Sequence, residues 1–269
     1  MPCQRLKQRV AFVTGGASGI GKAIARSFVE EGAIVCLAAR NRENLEKAVT
    51  EFEGLGGRAL AIPMDIRSEH EVAEAVSVAL RTFGRIDILV NNSGIGGPTK
   101  YLWDLSLDEW NDIISVDLTG TMLASREVLR HMVPAGNGGV IINIGSEGGR
   151  SGDGRSGYPM RAGYCAAKMA IIGLTETMAR EGGPHGIRVN CISPAAVDGP
   201  RFRGMIQGRA DAAGTSYEEA LQAEMKLYSL GRPAADDELG RTAVFLASDD
   251  AAAITGQTIP VNCGMNMWA

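Results

Sequence analysis

The chain has 269 residues, 45% of them apolar, which is enough to close one large α/β core. Its formal charge is −4, and Lys and Arg are scattered rather than clustered, which excludes the positive footprint that nucleic-acid binding requires. The five cysteines, Cys3, Cys36, Cys165, Cys191 and Cys263, are odd in number, widely spaced and without a C-x-x-C pair, so reduced thiols in a cytoplasmic protein are expected rather than disulfides or a metal site.

Basic residues precede the first apolar run, but that run, Val10 to Val13, stops at Thr14-Gly15-Gly16 and is too short for a secretory signal. Every other apolar run is soon broken by Gly, Arg, Asp or Asn, so no membrane partner is expected. Val10 to Val13 reads as a buried strand, and Gly19 to Glu31 as a helix with Ile20, Ile24 and Phe28 on one face. Ile34 to Ala38 is the second strand, followed by a charged helix from about Arg42 to Phe52. Ala59 to Ile62 is the third, and Ser68 with Glu71 three residues on is a capping-box start for a helix to Phe83. Ile86 to Val90, with Asp87 inside it, is the fourth; Val140 to Ile144 and Ile187 to Ile192 are later strands, with helices around 108–132 and 164–181. Strands alternating with helices imply a parallel sheet covered on both faces, and the absence of a repeat or linker argues for a single domain over 1–269.

The first strand-to-helix turn is Thr14-Gly15-Gly16-Ala17-Ser18-Gly19-Ile20-Gly21. Glycines let a backbone turn tightly against a pyrophosphate, whose charge is met by the amides and dipole of the next helix. A strand before the turn and a helix after it favour dinucleotide binding over a mere tight connection. At the end of the second strand, Ala38-Ala39-Arg40-Asn41-Arg42 offers no carboxylate to repel a ribose 2′-phosphate, and Arg40 can pair with one. NADP is favoured, with NAD the alternative, since an arginine also stacks on adenine or simply opens a loop. Further on, Tyr164 and Lys168 lie one helical turn apart, close enough for an ammonium to stabilise a phenolate.

Taken together these stretches resemble the short-chain dehydrogenase/reductase family from about residue 7 to 264. Asp65-Ile66 resembles its adenine-contacting pair, Asn91-Asn92-Ser93-Gly94 the motif that ends its fourth strand, and Asn143-Ile144-Gly145-Ser146 the strand end with its catalytic serine. Arg188-Val189-Asn190 and Ser193-Pro194 resemble the sixth strand and the turn beside the nicotinamide. The resemblance implies a Rossmann-type, doubly wound seven-stranded sheet in the order 3-2-1-4-5-6-7. It also implies an oxidoreductase acting on a secondary alcohol or ketone, and a homotetramer. Ser146, Tyr164, Lys168 and Asp117 would be catalytic; Gly15, Ser18, Gly19, Ile20, Gly21, Arg40, Asp65, Ile66, Asn91, Gly94, Tyr164, Lys168, Pro194 and Val197 would hold the cofactor.

Some positions depart from the family pattern. Asp117 stands in Val116-Asp117-Leu118 where the family has asparagine, so it keeps an acceptor but cannot donate through an amide. This substitution sustains an alternative reading, a catalytically impaired dinucleotide-binding sensor of the same fold. Pro194 is followed by Ala195 rather than glycine, and Cys263 in the Val261-Asn262-Cys263-Gly264 ending is expected to be structural. The loop from Glu147 to Gly163 is long, and its Tyr158 has Ala162 rather than lysine four residues later, so it is set aside as a catalytic candidate. Arg150, Arg155, Arg161, Arg201, Arg203 and Arg209 suggest a basic rim for an anionic substrate, or simply solvated loop charges. A lid over 198–230 is expected, with a helical stretch from Tyr217 to Tyr228.

Overall fold

A strand with apolar side chains on both faces must be covered on both, and the first strand achieves this by alternation. The computed structural model describes residues 4–147 and 157–265, and in it β1 (Val10–Thr14) sends Ala11 and Val13 into one buried cluster and Val10 and Phe12 into another. Cys3, Arg150, Arg155 and the side chain of Arg201 lie outside the described residues.

Around β1 are β2 (Ile34–Ala39), β3 (Arg58–Pro63), β4 (Ile88–Asn91), β5 (Gly139–Ile144), β6 (Ile187–Pro194) and β7 (Thr258–Val261). All pair in parallel, in the order β3-β2-β1-β4-β5-β6-β7. The Ala11 side packs under α1 (Gly19–Glu30), α2 (Arg42–Gly54) and α9 (Asp236–Ala247), which supply Phe28, Phe52 and Leu239. The Phe12 side packs under α3 (Glu69–Phe83), α5 (Gly120–Ala135) and α6 (Ala162–Gly182), which supply Val76, Val128 and Met178. α4 (Leu107–Ile114) precedes α5, while α7 (Pro200–Ala213) and α8 (Tyr217–Met225) form the lid segment. Strand order reverses between β1 and β4, and in open α/β sheets ligands bind at the carboxyl ends of the strands at such a reversal.

Three elements differ from the sequence expectation. β4 begins at Ile88 because Asp87 serves as a strap before it: its carboxylate accepts the Val10 amide at 2.8 Å and pairs with Arg85. The helix expected around 108–132 runs from α4 to α5 through a five-residue π turn, Ser115–Thr119, with helical backbone at both joints. In the lid, α7 is an additional helix, and α8 stops at Met225 rather than Tyr228. Tyr228 closes a turn back to Met225, and the Leu230 amide is anchored on the Cys263 carbonyl at 3.1 Å, which pulls the chain off the helix axis.

Candidate active site

The glycine turn opens onto the helix end that the strand reversal exposes. Gly15 and Gly19 take φ of +63° and +51°, left-handed values that favour glycine. A Cβ on Gly21 would collide with the Gly15 carbonyl and the Asn92 amide, whereas one on Gly19 would meet nothing within 4 Å. The turn is therefore packed from behind and open in front. Ser18 caps α1 in an extended conformation without using its side chain, and Ile20 packs against the core. Like α6 and α7, and unlike α2, α3 and α4 with their Glu43, Glu69 with Glu71, and Asp108 with Glu109, α1 carries no carboxylate in its first turn. Its positive end is left for an external anion, so these residues fit a dinucleotide pyrophosphate. Asn92, not singled out from the sequence, fixes the turn by donating to the Thr14 and Gly15 carbonyls, each at 3.2 Å.

At the adenosine end, Arg40 is exposed and has no hydrogen bond or ion pair among the described residues. Asp65 stands within reach of its charge, but the Asp65 carboxylate is engaged by Arg67 at 2.6 Å, and that hydrogen bond, ahead of the Arg67 and Arg40 charges, holds its carboxyl below the usual range. Arg67 also reaches Asp112 of α4 at 3.1 Å. Ile66 is buried against Gly120, where a Cβ would lie 2.5 Å from its Cγ1.

Tyr164 and Lys168 share one face of α6, with Lys168 Nζ 5.8 Å from the tyrosine ring centroid. Lys168 is 6% exposed; its Nζ donates to the Ile144 carbonyl at 3.1 Å and lies 3.5 Å from Asp117 Oδ2. Asp117, fully buried in the π turn, accepts the Ile95 amide on Oδ1 at 2.7 Å. The carboxylate thus does two things at once, holding the loop after β4 and facing the ammonium. Gly94 makes room for the pair, since a Cβ there would stand 3.2 Å from Asp117 Oδ2 and 3.4 Å from Lys168 Nζ. Ser146 is at the mouth of β5, 9% exposed.

The side chain of Asn91 turns inward, donating to Ser125 Oγ and Asn143 Oδ1, each at 2.8 Å, while Asn143 donates to Thr175 Oγ1 at 2.8 Å. These amides fasten β4 and β5 to α5 and α6, so the Asn91 side chain supports the site from behind. The Pro194 carbonyl accepts the Glu147 amide at 3.0 Å, and Val197 forms a bridge with Ala234. Cys191 lies behind the site, its thiol pushed up to about 12 by burial, so it is an inert packing group.

At the mouth stand Tyr158 and the arginines of the suggested basic rim. Tyr158, set aside from the sequence, is 38% exposed beside the start of α6, with its amide on Cys165 Sγ at 3.3 Å. Burial, then the charge of Glu147 and the neighbouring Tyr164, pushes its phenol up to about 12. The described arginines of the expected basic rim all have internal partners. Arg161 donates to the Gly96 and Gly97 carbonyls at 2.8 and 3.1 Å, Arg203 pairs with Asp198 at 3.1 Å, and Arg209 pairs with Glu224. Spacing alone could not show this, because the partners lie on other turns or elements.

A glycine turn packed from behind and open to an anion, followed at the strand ends by a tyrosine and a buried lysine, marks a dinucleotide-binding α/β protein. The chain belongs to the short chain dehydrogenase family, which it matches over residues 9–209. It is 35% identical to meso-2,3-butanediol dehydrogenase of Serratia marcescens over 97% of this chain and 95% of that one. Among solved structures, NAD+-bound xylitol dehydrogenase superposes with a TM-score of 0.89 at 31% identity, covering 96% of this chain and 99% of that one. A variant of actinorhodin polyketide ketoreductase with NADPH gives a TM-score of 0.89 at 32% identity, covering 98% and 99%. The chain is an oxidoreductase of this family, with a nicotinamide cofactor. Among the described residues no group of acidic, His or Cys side chains could hold a metal ion, and no helix is long and apolar enough to cross a membrane.

Proposed function

We propose that the protein interconverts a secondary alcohol and its ketone with NADP, using Tyr164 as general acid and base. The observation that carries this reading is the buried Asp117–Lys168 pair beside Tyr164, at the carboxyl ends of β4 and β5. When bound, the nicotinamide supplies or accepts the hydride at its C4. The chain's own residues manage the oxygen. Ser146 hydrogen-bonds it, and the Tyr164 hydroxyl gives it a proton in reduction and takes one in oxidation. The Lys168 ammonium favours the phenolate as that proton leaves, and Asp117 keeps the ammonium in place.

Gly15, Ser18, Gly19, Ile20 and Gly21 would hold the pyrophosphate, and Asp65 with Ile66 the adenine. Asn91 and Gly94 would line the nicotinamide side through the backbone, Pro194 and Val197 the carboxamide, and Lys168 the ribose. NADP is preferred over NAD because Arg40 has no hydrogen bond or ion pair among the described residues, and there is no carboxylate between Ala38 and Arg42. Arg40→Ala is expected to weaken NADPH binding about tenfold, the worth of one charge-assisted hydrogen bond, and to leave NADH unchanged. Equal effects on both cofactors in a fluorescence titration would overturn the preference. The proposed setting is a cytoplasmic homotetramer built through α4, α5, α6 and β7, which sedimentation tests. Asp117 keeps the loop contact that an asparagine oxygen would make, which supports the enzyme reading over the sensor alternative. Turnover of a ketone panel with NADPH, lost in Tyr164→Phe, decides between them.

A further inference from the structure

Ligand sites are concave and gather a few polar groups from several chain segments. β1, β4 and β5 are neighbours in the sheet, and the turns leading into their amino ends border a hollow of about 310 Å³, at the far end of the strands from Tyr164. Lys7, Gln8 and Arg9 line it from the turn before β1, Arg85 and Asp87 from that before β4, and Asn137 from that before β5. In a chain of formal charge −4, three cations thus meet around one hollow with a single carboxylate. That carboxylate is already committed: Asp87 is 6% exposed, accepts the Val10 amide at 2.8 Å and takes Nε and Nη2 of Arg85. Arg85 Nη1 has no partner among the described residues, nor have the side chains of Lys7, Gln8 and Asn137. Arg9 gives only Nη2, at 2.7 Å, to Asp249, whose side chain is 90% exposed, and such a pair is held weakly in water. At the start of β6, burial and then the Arg9 charge lower the Arg188 guanidinium from its ordinary value, against the pull of Asp249, so positive charge is in excess at this end of the sheet. Gln8 holds its turn in a left-handed conformation, φ +63°, that few non-glycine residues adopt, with its amide on the Gly32 carbonyl at 3.0 Å. Backbone kept in such a conformation by its surroundings recurs at ligand clamps.

We propose that this hollow binds the phosphate group of a small molecule, with Lys7, Arg9 and Arg85 as its cations and Gln8 and Asn137 as neutral partners. The site is separate from the hydride-transfer reading and asks nothing of it. A phosphate dianion offers acceptor oxygens in several directions, so it can meet three cations that arrive from different turns. Arg85 can keep Asp87 while Nη1 donates to the ligand, because a guanidinium carries five N–H donors in a fixed fork. The strap from Asp87 to Val10 therefore stays in place when the site fills. A hollow of about 310 Å³ lies at the small end of ligand pockets, which suits free phosphate or an ester of a few carbons rather than a dinucleotide.

Calorimetric titration of the NADPH-loaded protein tests the site, with inorganic phosphate and glycerol 3-phosphate as probes and chloride at matched ionic strength as the reference. Bound cofactor keeps the probes off the glycine turn. Saturable one-to-one binding is expected, weakened about tenfold by Lys7→Ala and by Arg9→Ala, the worth of one charge-assisted hydrogen bond each. Lys7→Ala removes no internal contact and Arg9→Ala only an exposed pair, so both variants should fold, which circular dichroism checks. Arg40→Ala, at the cofactor end, should leave the probes' affinity unmoved, and its contrast with Lys7→Ala locates them without cofactor as well. Equal affinities for the two probes assign the site to phosphate itself, and tighter binding of the ester assigns Gln8 and Asn137 to its hydroxyls; both results support the proposal. No saturable binding up to about 10 mM, tenfold beyond a millimolar constant, overturns it. So does binding that chloride matches, or binding that persists at parental strength in both folded variants.

Discussion

The two sides of the cleft are charged to a similar degree but bound in opposite ways. Beneath the substrate, the side chains of Lys168 and Asp117 are 7% and 0% exposed, and backbone groups from the ends of β4 and β5 complete their coordination. Above it, Arg203 and Asp198 are 58% and 59% exposed, and Arg209, which pairs with the buried Glu224 of α8, is 52% exposed. Breaking a buried ion pair by removing one partner costs about 3–5 kcal/mol, whereas an exposed pair contributes about 0–1 kcal/mol. The floor is thus fixed by a fully buried pair, whereas the lid combines an exposed pair with a half-exposed arginine on a buried carboxylate. On the proposed function, the proton chemistry would lie on the more deeply buried side.

The sharpest way to break this contrast is on the floor. Tyr164→Phe is expected to lower kcat by about 10²- to 10⁴-fold, the typical worth of a positioned general acid–base, with NADPH binding and melting temperature intact. Retained turnover would move the proton chemistry elsewhere. Asp117→Ala should cost about 3–5 kcal/mol in urea unfolding, because it strands the Lys168 ammonium and orphans the Ile95 amide. Asp117→Asn keeps an acceptor for Ile95, so its loss should be clearly smaller; equal losses would mean that the charge facing Lys168 accounts for the whole effect and the Ile95 contact for none of it. Gly21→Ala, which presses a methyl onto the Gly15 carbonyl, should destabilise by about 1–3 kcal/mol and weaken cofactor binding.

On the lid the effects shrink. Ser216→Ala deletes the capping box that starts α8 and should cost about 1 kcal/mol locally, read as faster amide exchange over α8 and a raised substrate KM with kcat kept. The smallest effect comes from the lid's C-terminal anchor. The hydrogen bond from Arg232 lowers the Glu238 carboxyl to about 2 from its ordinary 4.5. A depressed acid contributes its stability above the unfolded value and loses it as pH falls through the folded one, so this anchor should weaken between about pH 4.5 and 2. Glu238→Gln should flatten acid unfolding slightly within that window, and a parent profile identical to the variant's would discount the pair.

The contrast also governs how much the sequence could reveal. Strands that alternate between two buried faces, such as Val10 to Thr14, announce themselves through apolar period and flanking glycines, and so did the order of the motifs. Tyr164 and Lys168 were legible because a helix fixes the distance between residues four apart. The π turn was not, since it follows from how Asp117 is held rather than from any local propensity. The lid's first helix had signals that went unread, Pro200 at its start and Gly214 in a left-handed cap at its end. The partners of Arg161, Arg203 and Arg209 had none, because a surface charge does not encode which neighbour the fold brings beside it.

The loosely wound turn between α4 and α5 makes the site sensitive to length as well as chemistry. A π turn carries one residue more than an α turn, so deleting any one residue from Ser115–Thr119 would restore ordinary pitch and remove the wide turn that carries Asp117. The flanking helices would keep their faces, including Ile113 against Gly163, where a Cβ would stand 2.8 Å from it. Substitutions within that stretch alter a contact, whereas a missing codon would draw the carboxylate off both the Ile95 amide and Lys168. Among relatives of this chain, length variation is therefore expected to fall on either side of this segment and to spare its five residues.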